Sequence, residues 1–511
     1  MSTVPRKFGE TSAGLGPQRA GFRGLHVLGF LALSGLGALG IFYQGVIFIF
    51  LAALAAAGVS WWIIVRLHRM GLEIWQGLLL FALTGYMLLN YGFENIALHV
   101  GGTPIIVSYA LMYTCLALAV YSSRGWLAKA LTEPAVLCLA AMFVLAMFHL
   151  LVDIPSYGLM AIRDCTMLLD GVFLVLGMLW AAKADNVALL IKWLMLITVV
   201  NLIYSFTFPW SEKLLAWSPA SGVFMEVPIL GQYHTTDIYL LTGVVLCLGS
   251  AGYMVTRKRW IMLLLAMLQL LGLAITQARA SYVALAALIV LFVLIGEGKR
   301  SGILVGMLVS ALAVLALATG VGGIQLSGRI GPVNVNFLAD HLRSITGEKV
   351  TAASTVESRV DWTAEAMAHF YTSPIVGVGF GQALINYIDD ETGAVVRYPH
   401  NSNITILARL GVIGFGLWLL FHFCVIKRFI YAYSRRKQID KQLYELILWI
   451  VAVYITVMIA ALVEAPFEFP SSAIPFYFFT GLALGLIRWR LPEQGKEILS
   501  ARPAPALAGR P

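Results

Sequence analysis

Beyond residue 24 the chain is written in long apolar runs separated by short polar connections. The runs lie at 25–43, 45–65, 74–92, 104–121, 134–152, 162–182, 187–208, 236–255, 260–277, 280–296, 303–320, 402–425, 443–463 and 472–488. Each approaches the ~20 residues that a helix needs to cross the hydrocarbon core of a bilayer. A backbone surrounded by lipid has to satisfy its own hydrogen bonds, so runs of this length predict helices. They do not alternate polar and apolar positions as the strands of an outer-membrane barrel do. The pattern predicts an all-α polytopic integral membrane protein with about fourteen transmembrane helices and one long, partly helical outer loop. Residues 1–23 and 489–511 are expected as tails, 24–320 as spans one to eleven, 321–401 as the long loop and 402–488 as spans twelve to fourteen.

Composition sharpens this picture. The chain is 60% hydrophobic and 12% charged, about half the charge of an average soluble domain at roughly 25%. Its net charge of +9 reads as membrane topology, because Lys and Arg collect in cytoplasmic loops; nucleic acid is not an expected partner. With the N-terminus inside, 25 of the 35 Lys and Arg residues fall on the cytoplasmic side together with both termini, and Lys192 lies near the inner end of its span. Nine remain outside, five of them (Arg329, Arg343, Lys349, Arg359 and Arg397) in the long loop. Arg6, Lys7, Arg19 and Arg23 precede an apolar stretch that runs into a second one, so the first span reads as an anchor and not as a cleaved signal. Cys115, Cys138, Cys165, Cys247 and Cys424 all fall inside apolar runs and read as packing residues.

Chemistry is expected on the outer face, where Pro209–Thr235 and the stretch from about Val321 to Pro399 are long insertions, and long ordered loops without a function are uncommon. The longer one holds eight acids: Asp340, Glu348, Glu357, Asp361, Glu365, Asp389, Asp390 and Glu391. Glu357 to Phe370 predicts a helix with Glu357, Asp361 and Glu365 toward water and with Arg359, Trp362, Thr363, Ala366 and Phe370 on the opposite side. An arginine on an apolar face needs an anion, supplied either by a structural salt bridge or by a ligand. Arg279 has no acid near it in sequence and stands at an outer span junction, where snorkelling competes with function. His26, His68 and His422 fall at or near the cytoplasmic side and His149 within a span. Of the outer histidines only His234 and His400 closely precede a span, a position that suits an interfacial hydrogen bond as well as a catalytic base. Gly377-Val-Gly379-Phe-Gly381 lacks the preceding strand and following lysine of a nucleotide loop and predicts a tight turn after the Arg359 helix.

Taken together these stretches resemble the O-antigen ligase and O-antigen polymerase superfamily of bacterial envelope glycosyltransferases. Thr276 to Arg279 is similar to the family's Thr-x-x-Arg element, with Ala278 where Ser is usual. Arg359, Trp362, Pro374, Gly377 and Gly379 resemble its Arg, Trp, Pro-x-x-Gly-x-Gly pattern. His400, Asn401, Leu410, Gly411 and Gly414 resemble its His-Asn and Leu-Gly-x-x-Gly, and Ser221 to Phe224 its Gly-x-Phe approach. Arg409 departs from the family's usual Glu and reverses the charge. The resemblance covers mainly residues 220–430. It implies inverting, metal-independent transfer of a glycan from a polyprenyl (undecaprenyl) pyrophosphate carrier to an acceptor hydroxyl, with no cofactor, at the periplasmic face of the bacterial inner membrane. The acceptor is then a second glycan or a lipid core, and membrane lipid is a partner. His400 is implied as catalytic base, and Arg279, Arg359, Asn401, Trp362 and Arg163 as substrate-binding residues.

A lipid-linked-oligosaccharide flippase or other secondary transporter fits the span count equally well. Against it, the two halves show no repeat and the spans flanking the long loop carry almost no charge; Arg163, Asp164 and Asp170 in the sixth run are the features that favour it. Fourteen spans lean toward a polymerase over a ligase. The topology predicts that, in a chain lacking its five cysteines, an impermeant thiol reagent applied to spheroplasts labels a cysteine at Gly331 and misses one at Lys437. Equal labelling at both positions would overturn it.

Overall fold

A computed structural model describes residues 71–491, apart from 101–102, 184–186, 223–225, 232, 234–235, 253–255, 324, 326, 344–353 and 389–394. The runs at 25–43 and 45–65, His234, Val223, Phe224, Glu348, Lys349, Asp389, Asp390, Glu391 and most of both tails lie outside the described residues. The chain divides into two compact units, residues 1–77 and 78–511, and the fold described below, apart from the first turn of its first helix, belongs to the second.

The longer helices are α1 (Ile74–Leu89), α2 (Val107–Ser122), α3 (Pro134–Tyr157), α4 (Leu159–Leu169), α5 (Phe173–Ala182), α6 (Val187–Phe206), α7 (Thr236–Ala251), α8 (Thr256–Thr276), α9 (Arg279–Leu294), α10 (Gly298–Ala316), α11 (Ser354–Thr372), α12 (Ser402–Ser434), α13 (Lys441–Ala460) and α14 (Pro470–Arg490). A single 3₁₀ turn, Asp170–Val172, joins α4 to α5, so Leu159–Ala182 forms one apolar stretch. Among the described residues eight helical segments are long and apolar enough to cross a membrane, and α1, α2, α7 and α9 are shorter apolar helices. The twelve apolar runs that fall in the described residues each coincide with one of these helices or segments. Among the described residues strand is confined to short antiparallel hairpins, such as Ala97–Val100 with Thr103–Ile106 and Tyr387–Ile388 with Val395–Val396.

Packing follows the rules of a membrane interior, where small residues let backbones approach. A Cβ at Gly177 of α5 would fall 2.0 Å from the Phe478 carbonyl oxygen, and one at Gly481 of α14 would fall 1.9 Å from that of Leu174. A second apolar core joins α7, α8, α9, α10 and α13 through Leu241, Val244, Leu270, Leu288, Leu304 and Ala452. All five cysteines are unpaired, and all but Cys424 are buried. At the far end of α12, buried Glu133 takes Arg428 of α12 at 2.8 Å and Arg488 of α14 at 2.9 Å.

The stretch between α10 and α12 contains a short helix, Val335–Arg343, and then α11. Ala366 of α11 is fully buried with Leu384 and Ala408, and Phe370 packs on the same cluster, which places the apolar face of α11 inward. Glu365, expected in water, is half-buried and accepts a hydrogen bond from Asn386 N at 3.2 Å. After α11 the chain turns at Pro374 and enters a break in α12. Gly411 interrupts that helix at φ 63°, ψ −166°. Across the break Val412 N donates to Pro374 O at 2.9 Å, Ile413 N to Ile375 O at 3.2 Å, Val378 N to Ala408 O at 3.0 Å and Gly379 N to Arg409 O at 3.0 Å. The backbone groups freed by the kink are therefore paired with the loop, which is what tolerance of a broken helix in a membrane requires. A Cβ at Gly411 would fall 2.3 Å from Ile375 O, and one at Gly377 would fall 2.2 Å from the Arg409 carbonyl.

This geometry separates two glycines of one helix. Gly416→Ala enters open space and is expected to change stability by no more than about 1 kcal/mol, in the stabilising direction. Gly411→Ala meets both a positive φ, a strain of about 1–3 kcal/mol, and the Ile375 carbonyl. Thermal unfolding of the two variants in the same detergent should show a clear fall only for Gly411→Ala; equal midpoints would contradict the interlock.

Candidate functional site

The candidate site forms where three segments distant in sequence meet: the start of α11, the residues entering α12, and the connection between α13 and α14. Arg359 Nη2 of α11 donates to Glu464 Oε1 at 2.6 Å. The other oxygen of Glu464 lies 3.4 Å from His400 Nδ1. One carboxylate therefore holds both an arginine and the imidazole. Burial alone would raise the Glu464 carboxyl, but the hydrogen bond from His400 and the Arg359 charge outweigh it and hold it below the ordinary glutamate range.

His400 sits at φ 48°, the left-handed region that residues with a Cβ avoid and that recurs at functional sites. Its neighbours on the C-terminal side fix it there. Asn401 is the N-cap of α12: its Oδ1 accepts from Asn403 N at 3.1 Å and Ile404 N at 3.2 Å, while its Nδ2 donates to Leu462 O at 2.9 Å. Ser402 N donates to Ala461 O at 3.1 Å and Glu464 O at 3.3 Å, and the Ser402 hydroxyl donates to Glu468. Burial pushes the Glu468 carboxyl up, opposed by hydrogen bonds from Ser402 and Thr405. These bonds stitch the 461–468 connection onto the start of α12 and deliver Glu464 to the ring of His400.

Aromatic rings pack around the imidazole. The Trp362 ring, one helical turn from Arg359, lies 5.3 Å from that of His400 and 5.2 Å from that of Tyr387. Tyr398 lies 5.9 Å from His400 on its N-terminal side. Arg279 begins α9 and lies within electrostatic reach of Arg359, Glu464 and Arg329. Arg163 is exposed on α4 and acts on Tyr398, Tyr91 and Glu94. The structure thus gathers Arg279, Arg359, Trp362 and His400 around Glu464, places Asn401 in the helix cap, and sets Arg163 against Tyr398. His422 is a core residue, buried beside Trp418 and Phe421 with its Nδ1 2.5 Å from Tyr454 OH.

A second ionic cluster underlies the site and accounts for Arg409. This fully buried guanidinium donates to Asp164 Oδ2 at 2.8 Å, Gly379 O at 2.9 Å and Gln382 O at 3.2 Å. Asp164 also accepts from Arg397 at 3.2 Å and Gly381 N at 3.2 Å, and Asp153 accepts from Phe380 N at 2.7 Å. The expected tight turn at Gly377–Gly381 is present, with positive φ at all three glycines. Arginine at 409 works because α4 supplies a carboxylate opposite it, since a buried charge needs a partner.

Glu464 does not figure among the sequence-based candidates. Its signal is two carboxylates, Glu464 and Glu468, in a short connection otherwise made of Ala, Leu, Val, Pro and Phe. Among the described residues no group of three or more His, Cys, Asp or Glu side chains is arranged to hold a metal ion.

Residues 261–419 match the family model described as O-antigen ligase. That segment carries Arg279, Arg359, Trp362, His400, Asn401 and Arg409 and ends before Glu464. No curated protein matches the chain. Over residues 261–419 the chain, whose described part holds helices long and apolar enough to cross a membrane, is similar to the O-antigen ligase family.

Proposed function

We propose that the protein transfers a glycan from a polyprenyl pyrophosphate carrier to an acceptor hydroxyl at the periplasmic face of the bacterial inner membrane, as a polysaccharide polymerase or an O-antigen ligase. The observation that carries this reading is the single carboxylate of Glu464, shared between His400 and Arg359. With Nδ1 donating to Glu464, Nε2 of His400 keeps its lone pair and is the basic nitrogen, following the logic by which a third group orients a catalytic base. The acceptor oxygen attacks the anomeric carbon while Nε2 takes the hydroxyl proton. The bond from that carbon to the phosphate oxygen breaks, and its electron pair leaves with the carrier pyrophosphate. One displacement inverts the anomeric centre.

Charge builds on the leaving phosphate as this bond breaks, and guanidinium groups of Arg279 and Arg359 supply donors for it without a metal. Arginine forks suit phosphate oxygens better than the point charge of lysine. Trp362 offers a flat apolar face to a sugar ring as well as to the imidazole, Asn401 fixes the position of His400, and Arg163 lies toward Tyr398 for the carrier or acceptor. Both termini lie in the cytoplasm in this reading.

Purified His400→Ala is expected to bind carrier-linked donor as the wild type does and to transfer it about 10²- to 10⁴-fold more slowly, whereas His99→Ala, in an exposed hairpin, should be unaffected. Near-normal transfer by His400→Ala would remove the base and return the transporter to contention.

Glu464 gives a separate pH test. Its folded-state pKa lies below the ordinary value of 4.5, so between the two values the unfolded chain binds more protons. The stabilisation is therefore fully present above about pH 4.5 and is lost as pH falls through the folded value. The difference in thermal midpoint between wild type and Glu464→Gln should shrink as the pH falls below about 4.5. An offset that persists unchanged in acid would contradict the ionised contact.

A further inference from the structure

The end of the bundle opposite His400 holds a cavity that the proposed chemistry does not use. α13 runs from Lys441 at this end to Ala460 beside Glu464. The far end of α12 is fixed here too, where the Tyr433 hydroxyl donates to Ile295 O at 2.6 Å. The cavity has a volume of about 200 Å³ and lies between the end of α7 and the starts of α8 and α10. Arg259, Glu297, Lys299 and Arg300 form its polar side. Leu248, Leu263 and Ile303 form its apolar side.

Arg300 is committed to protein contacts. Its Nη1 donates to Glu445 Oε2 at 2.7 Å and its Nη2 to Glu445 Oε1 at 2.5 Å, while its Nε lies 3.2 Å from Glu297 Oε2. Glu445 is buried, and Gly249 of α7 leaves the room for it, since a Cβ there would fall 2.5 Å from Oε2. Lys441 Nζ donates to Gly252 O at 2.8 Å. These bonds tie α7, α10 and α13 together around the cavity. Arg259 and Lys299 are different. Both line the cavity with exposed side chains, and among the described residues neither has a hydrogen bond, an ion pair or a ring contact. Glu297, the acid in the cavity wall, is bonded to Arg300. Lys299 also stands in the first turn of α10, which holds no acid and where the positive end of the helix dipole favours an anion over a cation.

Two cations without a protein partner, facing a wall of leucine and isoleucine, call for an anion with an apolar body attached. The volume falls below the ~300–1,000 Å³ of pockets that enclose a drug-sized molecule, so it suits a headgroup and is too small to enclose a nucleotide. Trp260, Ile261 and Leu264, each one residue on from Arg259, Trp260 or Leu263 around α8, are exposed, and tryptophan settles at the membrane interface. The anion therefore arrives from the bilayer. We propose that this cavity binds the phosphate of an anionic membrane phospholipid, with Arg259 and Lys299 as its charged contacts and Leu263 and Ile303 against its glycerol and upper acyl carbons. Basic pockets between membrane helices hold lipid headgroups by this combination of charge and apolar contact. Occupancy of this site is independent of the reaction at His400.

The test uses the full chain in detergent, with short-chain phosphatidylglycerol as the anionic lipid, short-chain phosphatidylcholine as the zwitterionic one and inorganic phosphate as the anion alone. Affinity is read by native mass spectrometry and the thermal midpoint by unfolding. Wild type should bind phosphatidylglycerol about tenfold more tightly than phosphatidylcholine, the range of one hydrogen bond to a charged group. Arg259→Gln/Lys299→Gln should lose that preference. Lys427→Gln/Lys437→Gln removes two exposed charges toward the same end of α12 but outside the cavity and should keep it. If the first double variant retains the preference, or if both double variants lose it equally, diffuse surface charge holds the lipid and the site is wrong. If inorganic phosphate at equal concentration raises the midpoint as far as phosphatidylglycerol does, the ligand is a soluble anion and the lipid assignment is wrong. A wild type without preference between the two lipids overturns the inference outright.

Discussion

The site depends on a backbone interlock. α12 breaks at Gly411, and the segment after α11 fills the break with its own amides and carbonyls. Breaking a helix inside an apolar bundle exposes groups that water would otherwise satisfy, at a cost of several kcal/mol for each one left unpaired. The segment from Pro374 to Gly379 meets that demand, and meeting it fixes where α11 ends relative to α12. Arg359 and Trp362 stand near the start of α11 and His400 stands at the entrance of α12. Their separation is therefore set by main-chain hydrogen bonds and not by side-chain packing alone. In physical terms Pro-x-x-Gly-x-Gly and Leu-Gly-x-x-Gly are two halves of one joint, each with a glycine where a Cβ would strike the other half.

Electrostatics then divides the work between two carboxylates. Asp164, in the dry interior, gathers Arg397, Arg409 and Gly381 N and pins the glycine turn to α4. Glu464, at a half-exposed position, gathers Arg359 and His400. A buried charge network of the first kind tolerates little movement, because removing either partner strands the other in a low-dielectric medium. The second kind, open to solvent and ligand, can exchange partners. A rigid ionic joint beneath an open one is the arrangement expected of a site that must hold its shape while substrate charge comes and goes.

Much of this was legible in the sequence, and what was not has a common cause. Long apolar runs have a lipid-imposed meaning, so the helices could be placed from them. The periodicity of 357–370 brought Arg359, Trp362, Ala366 and Phe370 to one face, and three closely spaced glycines marked a turn. By contrast, Arg359 and Glu464 are 105 residues apart and Asp164 and Arg409 are 245 apart. Neither pairing leaves a periodic trace. Gln277 is less legible still, since nothing about a lone glutamine between Thr276 and Ala278 signals a left-handed backbone or the hydrogen bonds its side chain makes with Gly331. Arg409 shows the same limit from the other side: its charge reversal reads as an anomaly until the carboxylate on α4 is placed opposite it.

The strain at His400 links the joint to the chemistry. A histidine at positive φ is uphill by about 1–3 kcal/mol, so it stays there only because its surroundings leave no alternative. Pro399 restricts the residue before it, and the Asn401 cap and the Ser402 amide lock the residues after it to Leu462, Ala461 and Glu464. The bonds that impose the strain are thus the same bonds that carry Glu464 to the imidazole. Relaxing the backbone of His400 into an ordinary helical or extended conformation would swing the ring away from the carboxylate that orients it. Position of the ring and its partner are in this way one structural decision, made by the bonds that tie Asn401 and Ser402 to Ala461, Leu462 and Glu464.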